Sequence, residues 1–260
     1  MKKILTIAGS DCSGGAGIQA DIKTITAHRM YAMSVITSLT AQNTTGVYGI
    51  IDTPADFTAK QIDCVFSDIR PDAVKIGMLS SAENIIAVAE KLEFYKAENI
   101  VVDPVMISTS GCSLISDEAK EVLKSKLFPL ATLITPNIPE AEELSGIKIK
   151  SHEDFINAGF AIHQKTGTNV LLKGGHGSSK ADDLLIYGND FIMIHGNAVD
   201  TENTHGTGCT LSSAIACNLA DGFSLEKSVR NSKRYLENAM KTGLNLGKGN
   251  GPLNHCAEIL

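Results

Sequence analysis

The segment 203–210, which reads NTHGTGCT, has the residue types and the spacing of an anion-binding site. Gly206 and Gly208 come just before an apolar run, 211–220, that has the composition of a helix. Glycines at a helix N-terminus leave backbone N–H groups free, and the positive end of the helix dipole lies behind them. Such groups, here on Gly206, Thr207 and Gly208, can hold a phosphoryl group during its transfer. The sequence therefore predicts phosphate chemistry at this point.

Cys209, in the first turn of the same predicted helix, is a candidate base for a substrate hydroxyl. The helix N-terminus favours a thiolate and a bound polyphosphate opposes it, so the sequence leaves the pKa of this thiol open. The simpler alternative is a loop that enters the helix through a threonine cap, with Cys209 as a packing residue. That alternative does not explain why a thiol occupies the first turn. The other five cysteines show no C-x-x-C spacing, so neither a zinc ribbon nor a thioredoxin-like site is expected.

A second glycine-rich segment, 15–20, matches the dinucleotide-binding pattern G-x-G-x-x-A. That pattern requires its first glycine directly after a strand and an acidic residue at the end of the second strand. Here the residues 9–14 intervene, and the second predicted strand ends in Thr-Ala-Gln-Asn. A nicotinamide-dependent oxidoreductase is therefore disfavoured.

Strand-like and helix-like segments alternate along the chain and must position these residues. The predicted strands are 3–8, 32–40, 73–78, 100–103, 133–135 and 169–173, with a hairpin of 183–187 and 191–195. The predicted helices are 17–30, 57–69, 82–96, 117–127, 139–144, 153–164, 208–220 and 225–241. This alternation is typical of right-handed βαβ units. We expect an α/β protein with a three-layer α/β/α arrangement and a mostly parallel central sheet, in which 1–260 forms one domain.

Polar and glycine-rich peptides follow the predicted strands. They are 9–17, 42–46, 103–111, 135–140, 174–177 and 203–209. Because ligands of open α/β sheets bind at the carboxyl ends of the strands, the active site is expected at that edge.

Composition narrows the class of protein further. The 260 residues are 43% hydrophobic and 20% charged, which is ordinary for a globular protein. The 23 Lys and Arg against 29 Asp and Glu leave a net charge of −6, so neither nucleic acid nor a membrane is an expected partner. No apolar run approaches the ~20 residues of a membrane span. The first strand meets Gly9 too early for a signal peptide, and we expect a soluble, cytoplasmic protein.

Short peptides spread along the whole chain form a recognisable set. They are 8–21 (AGSDCSGGAGIQAD), 35–44 (VITSLTAQNT), 65–68 (VFSD), 75–79 (KIGML), 102–106 (VDPVM), 133–137 (LITPN), 139–141 (PEA), 173–176 (KGGH), 203–210 and 247–252 (GKGNGP). In this order they resemble the hydroxymethylpyrimidine/phosphomethylpyrimidine kinases of thiamine biosynthesis, which belong to the ribokinase-like superfamily. The resemblance implies a ribokinase-like fold and a homodimer.

The resemblance also implies a substrate. It would be 4-amino-5-hydroxymethyl-2-methylpyrimidine, which ATP phosphorylates at the hydroxymethyl group and then again on the resulting phosphate. Gln42 matches the glutamine that recognises the pyrimidine, since a carboxamide pairs well with an amine beside a ring nitrogen. The residues that match the lining of the pyrimidine pocket are Gly9, Asp11, Ala16, Thr40, Met78 and Val105. For Met78 and Val105 the alternative is ordinary packing at strand ends.

On the nucleotide side, the resemblance places Mg²⁺ near Glu140 and Asp103, through bound water. Lys173 would approach the ATP phosphates, and Asn137, which begins the N-x-x-E motif that ends in Glu140, is a further nucleotide-binding candidate. Thr204 and Lys248 match positions near the nucleotide, and K⁺ is a further candidate cofactor. The alternatives are turn chemistry for Asp103 and a helix-start charge for Glu140. Ribokinases carry an aspartate where this chain has Cys209.

Two rival functions remain. A pyridoxal kinase has the same fold, and its hydroxymethyl pyridine has nearly the same shape as the pyrimidine. Gln42 argues against pyridoxal as the sole substrate, although both activities are compatible with one enzyme. The other rival is a binding protein without catalysis, which the combination of Asp103, Asn137, Glu140, Lys173 and residues 206–209 argues against.

Overall fold

One sheet organises the protein, for which the computed structural model describes residues 1–106, 115–174 and 181–257. Its strands are β1 (Lys3–Asp11), β2 (Tyr31–Asn43), β3 (Gly46–Asp52), β4 (Ala73–Ile76), β5 (Ile100–Val102), β6 (Leu133–Ile134), β7 (Asn169–Lys173), β8 (Asp183–Tyr187) and β9 (Asp190–Ile194). The order across the sheet is β3-β2-β1-β4-β5-β6-β7-β8-β9. The strands from β2 to β7 in this order pair in parallel, and β3, β8 and β9 are antiparallel.

Helices cover both faces of this sheet. They are α1 (Gly17–Ala27), α2 (Ala55–Asp68), α3 (Ala82–Phe94), α4 (Asp117–Val122), α5 (Ile138–Ser145), α6 (His152–Thr166), α7 (Thr207–Ala220) and α8 (Leu225–Lys241). Successive strand residues face opposite layers. Ile4 packs in the core formed with α1, α7 and α8, whereas Leu5 packs in the core formed with α2 to α6. The predicted three-layer α/β/α fold is confirmed.

The main difference from the sequence prediction lies at β2. This strand continues past the predicted end at residue 40 to Asn43, and then pairs antiparallel with β3. The sequence analysis predicts no element at β3, although its side chains include Val47, Tyr48 and Ile51; in the structure they are mostly exposed and lie outside both cores. Backbone pairing with β2 forms this strand, and Gln42 therefore lies on a hairpin rather than in a loop.

Smaller differences concern element ends and the residues outside the description. Helix α1 ends at Ala27 because Arg29 adopts a positive φ of 58°, and the predicted helix 117–127 finishes with a wider π turn from Leu123 to Leu127. Parts of two predicted strand-end peptides, 107–111 and 175–177, lie outside the described residues. Within the described ranges, no helix is long and apolar enough to cross a membrane.

Candidate active site

The N-terminus of α7 meets the carboxyl ends of β5 and β7. Gly206, which caps α7, has a φ of 89° that favours glycine, and a Cβ added there would clash with the Gly15 carbonyl oxygen. A Cβ at Gly208 would lie 2.9 Å from Asp103 Oδ2 and 3.3 Å from Lys173 Nζ. Only glycine at position 208 lets the backbone of α7 come this close to the two side chains. The predicted phosphate loop therefore lies beside both of these charged side chains.

Asp103 and Lys173 form a buried ion pair at this point. Lys173 Nζ lies 2.9 Å from Asp103 Oδ1, which also accepts a hydrogen bond from Thr135 Oγ1 at 3.2 Å. Burial alone would lower the pKa of Lys173, but the carboxylates of Asp103 and Glu140 outweigh it and raise that pKa. Lys173 is therefore a cation at neutral pH, which suits its predicted contact with the ATP phosphates.

Glu140 begins α5 and also faces the ion pair. Its Oε2 accepts the Asn137 N–H at 2.8 Å, and Asn137 Oδ1 accepts the Glu140 N–H at 2.9 Å, which forms a capping box. Burial raises the pKa of Glu140 to about 7, and the charge of Lys173 opposes this rise. The helix-start role considered for Glu140 is thus present, and its carboxyl still lies in the field of Lys173 and Asp103.

Cys209 lies within the influence of a buried charge network that the sequence analysis does not single out, because the charges of Lys75 and Asp21 both act on its thiol. Lys75 Nζ lies 2.8 Å from both carboxylate oxygens of Asp21, and both side chains are fully buried. Asp21 also accepts hydrogen bonds from Thr6 Oγ1 at 2.6 Å and from Ser213 Oγ at 2.8 Å. Ser213 lies one helical turn after Cys209 on α7. The network therefore joins β1, β4, α1 and α7.

Burial has the largest effect on the pKa of that thiol. It raises the pKa of Cys209 to about 11, and the charge of Lys75 only partly offsets the rise. The pKa left open by the sequence is therefore raised. A charged residue inside the otherwise apolar β4, Ala-Val-Lys-Ile, is the signal in the sequence that could have identified Lys75.

Asp11 holds the loop after β1. Its Oδ2 accepts the N–H groups of Gly15 at 3.0 Å and Ala16 at 2.8 Å, and its Oδ1 accepts the Ser13 N–H at 2.8 Å. Burial raises the pKa of Asp11, but these bonds and one to His205 hold it well below its usual range. Asp11 thus supports the predicted pyrimidine pocket through the loop that contains Ala16.

Gln42 lies between Thr40 and His205. Gln42 Oε1 is 3.1 Å from Thr40 Oγ1, and Gln42 Nε2 is 3.4 Å from His205 Nε2. The same His205 atom is 2.9 Å from Asp11 Oδ2. His205 was not among the predicted site residues, although it lies within the NTHGTGCT segment.

Five further residues were predicted for the site, namely Gly9, Met78, Val105, Thr204 and Lys248. A Cβ at Gly9 would lie 3.4 Å from Met78 Sδ, and the Val105 N–H donates to the Asp103 carbonyl at 2.8 Å. The Thr204 carbonyl accepts the Thr207 N–H at 3.3 Å. The backbone N–H of Lys248 donates to Thr44 Oγ1 at 3.1 Å, beside the β2–β3 hairpin. The nucleotide role of Lys248 stays a prediction.

The donor set fits a magnesium ion that arrives with phosphate oxygens. Among the described residues, no group of three or more His, Cys, Asp or Glu side chains could hold a metal ion. Mg²⁺ usually binds one or two carboxylates together with substrate phosphates and water. Asp103 and Glu140, which both act on the charge of Lys173, supply two carboxylates of this kind.

A mostly parallel sheet between two helix layers, with a glycine-bounded helix N-terminus at its carboxyl edge, is the arrangement of the ribokinase-like class of small-molecule kinases. The family model described as phosphomethylpyrimidine kinase matches residues 11–254. The chain belongs to the phosphomethylpyrimidine kinase family.

Curated relatives agree with this family. The chain is 51% identical over 253 residues to the thiamine biosynthesis bifunctional protein ThiED of Geobacter sulfurreducens, covering 97% of this chain and 52% of that protein. This chain thus spans about half the length of that relative. It is 44% identical to the hydroxymethylpyrimidine/phosphomethylpyrimidine kinase of Bacillus subtilis, covering 98% of this chain and 95% of that one.

Solved structures show the same fold. The crystal structure of phosphomethylpyrimidine kinase from Clostridium difficile has a TM-score of 0.81 at 50% identity, covering 91% of this chain and 98% of that one. The pyridoxal kinase from Staphylococcus aureus in complex with AMP-PCP and pyridoxal has a TM-score of 0.91 at 36% identity, covering 99% of this chain and 94% of that one.

Proposed function

We propose that this protein uses ATP to phosphorylate 4-amino-5-hydroxymethyl-2-methylpyrimidine, and then phosphorylates the monophosphate to the diphosphate, for thiamine biosynthesis. One observation carries the proposal. The peptide 205–208 contacts Gln42 through His205 at one end and approaches Asp103 and Lys173 through Gly208 at the other. The peptide 205–208 thus connects the Gln42 amide, which can form hydrogen bonds to a pyrimidine edge, with the groups that can hold phosphate.

The first transfer would proceed by direct displacement. The hydroxymethyl oxygen forms a bond to the γ-phosphorus of ATP as the bond to the β–γ bridging oxygen breaks, and ADP leaves. The hydroxyl proton passes to the sulfur of Cys209, which must be in its thiolate form to accept it. The N–H groups of residues 206–209 and the cation of Lys173 stabilise the negative charge on the transferring group. In the second reaction a phosphate oxygen attacks instead.

Asp103 and Glu140 would hold Mg²⁺ through water, and the ion would neutralise charge on the ATP phosphates. The AMP-PCP bound to the pyridoxal kinase of S. aureus supports the use of ATP by this fold. Asn137, Thr204 and Lys248 remain proposed nucleotide residues. Activation by K⁺ is tested by replacing potassium with sodium salts in the assay.

Pyridoxal kinase activity is the second candidate, favoured by the fold that this chain shares with the pyridoxal kinase of S. aureus. The Gln42 amide, held between Thr40 and His205, supports the pyrimidine as the preferred substrate. The deciding experiment offers the purified protein ATP, Mg²⁺ and each of four acceptors, namely the hydroxymethylpyrimidine, its monophosphate, pyridoxal and ribose. Phosphorylation of pyridoxal alone would reject the pyrimidine assignment.

We further propose a homodimer that works in the cytoplasm. Exposed apolar side chains on the β2–β3 hairpin, among them Tyr48 and Ile51, provide a surface for a second copy. The five cysteines that the structure describes are free thiols, which suits a reducing compartment. Sedimentation velocity measures the oligomeric state, and an Ile51→Lys variant should shift a dimer toward monomer.

A further inference from the structure

His205 fills the space between the Gln42 amide and the loop that Asp11 holds. Its side chain is buried, and its ring lies so close to Gly15 that no larger residue would fit there. The His205 N–H donates to the Gly251 carbonyl at 3.1 Å, which fixes the backbone as well. The ring is therefore held on several sides and cannot adjust freely to its neighbours.

The contact with Asp11 determines where the ring carries a proton. His205 Nε2 lies 2.9 Å from Asp11 Oδ2, and the pKa of Asp11 lies well below its usual range, so this carboxyl is ionised at neutral pH. An ionised carboxylate only accepts hydrogen bonds, so Nε2 must carry the hydrogen, in the neutral ring or in the imidazolium. A protonated Nε2 cannot accept a hydrogen bond from the Gln42 amino group.

The contacts at the other end of the amide are compatible with the same orientation. The Thr40 hydroxyl has one hydrogen and two acceptors within reach, the Ser10 carbonyl at 2.9 Å and Gln42 Oε1 at 3.1 Å. If the hydrogen goes to the nearer Ser10 carbonyl, the Thr40 oxygen is free to accept from an amino group. The oxygen and nitrogen of a glutamine amide are distinguished by such partners.

We propose that His205, held by Asp11, is a positioning residue that sets the direction of the Gln42 amide, with its carbonyl oxygen toward His205 and its amino group toward Thr40. This inference rests on the proposed function of Gln42. The amide then accepts from an exocyclic amine on the His205 side and donates to a ring nitrogen on the Thr40 side. A 4-oxo pyrimidine presents the reverse pattern, a carbonyl beside a ring N–H, and is rejected.

The experiment compares kcat/KM for 4-amino-5-hydroxymethyl-2-methylpyrimidine with that for its 4-oxo analogue. We expect the unmodified protein to prefer the amino compound by at least about 100-fold, because the oxo compound opposes donor to donor and acceptor to acceptor. In His205→Phe the amide can rotate, and the preference should fall at least about tenfold, with KM changing more than kcat. His205→Gln keeps an N–H that can donate to Asp11, so it should retain the preference.

A matched control uses a second buried histidine. His255 is as buried as His205, at 5% exposure each, and its Nε2 lies 3.0 Å from the Thr210 hydroxyl and has no contact with Gln42. His255→Phe should leave the amino-to-oxo preference unchanged even if it lowers stability. An unchanged preference in His205→Phe, or an equal loss in His205→Gln and His205→Phe, would overturn the inference.

Two further results separate the possible failures. If the unmodified protein phosphorylates neither pyrimidine, the proposed function itself is rejected. A long-range ¹H–¹⁵N spectrum of the unmodified protein reports the ring protonation without any substitution. Between pH 6 and 8 it should show hydrogen on Nε2 of His205, and a spectrum with hydrogen only on Nδ1 would overturn the inference even if the variants do not fold.

Discussion

The two ends of the candidate site are held by different forces. The reading end, formed by Asp11, Thr40, Gln42 and His205, is connected by hydrogen bonds through a loop and a hairpin. The transfer end, formed by Asp103, Glu140, Lys173 and Cys209, rests on two ion pairs. Lys75 and Asp21 join β4 to α1, and Lys173 and Asp103 join the carboxyl ends of β7 and β5. Recognition needs polar groups with a fixed direction, whereas transfer needs charge in a fixed place. Substitutions should therefore alter substrate choice at the first end and rate or stability at the second.

The largest effect is expected at the transfer end. Cys209→Ala should lower the rate of hydroxymethyl phosphorylation by ~10²–10⁴, as is typical for the loss of a general base. Nucleotide binding should remain, because backbone N–H groups form the phosphate site. Cys209→Asp should recover part of the rate. Steady-state kinetics with both acceptors and nucleotide titration by calorimetry measure these effects.

The monophosphate reaction is the internal control for Cys209→Ala. Its attacking oxygen belongs to a phosphate that is already largely ionised near neutral pH, so it needs little help from a base. Cys217 is a buried cysteine on the same helix, and Cys217→Ala should leave the rates with both acceptors nearly unchanged. Equal losses with both acceptors in Cys209→Ala would assign the thiol to packing.

The raised pKa of Cys209 adds a pH dependence with a definite sign. Because burial raises this pKa to about 11, the thiolate fraction grows as the pH rises toward that value. The hydroxymethyl rate should increase about tenfold per pH unit above neutrality, since the thiolate is the active form. The monophosphate rate should lack this slope. A flat profile for the hydroxymethyl acceptor would exclude the thiolate as base.

Lys75→Met tests whether charge pairing holds the transfer end together. The substitution leaves the buried Asp21 carboxylate without its partner, so we expect a loss of about 3–5 kcal/mol in the free energy of unfolding. Urea denaturation measures it. Adding Asp21→Asn should restore part of the loss. The exposed pair of Lys124 and Glu121 supplies the control, since Lys124→Met should cost less than about 1 kcal/mol.

Glu140→Gln tests the second carboxylate of the transfer end. It removes a charge that would orient the waters of Mg²⁺, so the concentration of Mg²⁺ for half-maximal rate should rise about tenfold and kcat should fall. The KM for the pyrimidine should stay the same, because the reading end is not touched. Glu143→Gln, on the same helix and exposed, is the control. Identical Mg²⁺ titrations for both variants would leave Glu140 with its helix-capping role alone.

The most selective effect is expected at the reading end. Gln42→Met should lower kcat/KM for the hydroxymethylpyrimidine more than tenfold, because polar edges that lose their partners cost ~1–3 kcal/mol each. Activity with pyridoxal should be spared. Kinetics with the two acceptors give the ratio directly. Equal losses with both, or no loss, would remove Gln42 from the reading end.

The hydrophobic pattern of the sequence was sufficient to predict the layers of this fold, but not the strand β3 at the edge of the sheet. The inner parallel strands β5, β6 and β7 could be predicted because each is a short apolar run buried on both faces. Strand β3 contains apolar residues such as Tyr48 and Ile51, but Gly49 interrupts them and their side chains are exposed, so they show no alternation between a buried and a polar face. The position of Gln42 on a hairpin therefore emerged only from the structure.

The site divides in the same way. Residues in glycine-rich peptides, such as Gly206 and Gly208, could be predicted because their backbone chemistry depends on local sequence. His205 and Lys75 act through partners far away in the chain, 194 residues for Asp11 and 54 for Asp21. Such pairs arise from the register of the folded sheet, and a single sequence does not encode them in any local spacing.

The β2–β3 hairpin also has a consequence for how substrate choice can be changed. The two arms of the hairpin pair with each other through the backbone, and most side chains of residues 40–52 are exposed or half-buried. Substitutions there should therefore change which acceptor is phosphorylated without disturbing the residues of the transfer end. Grafting residues 40–52 from a pyridoxal kinase onto this chain would test this expectation.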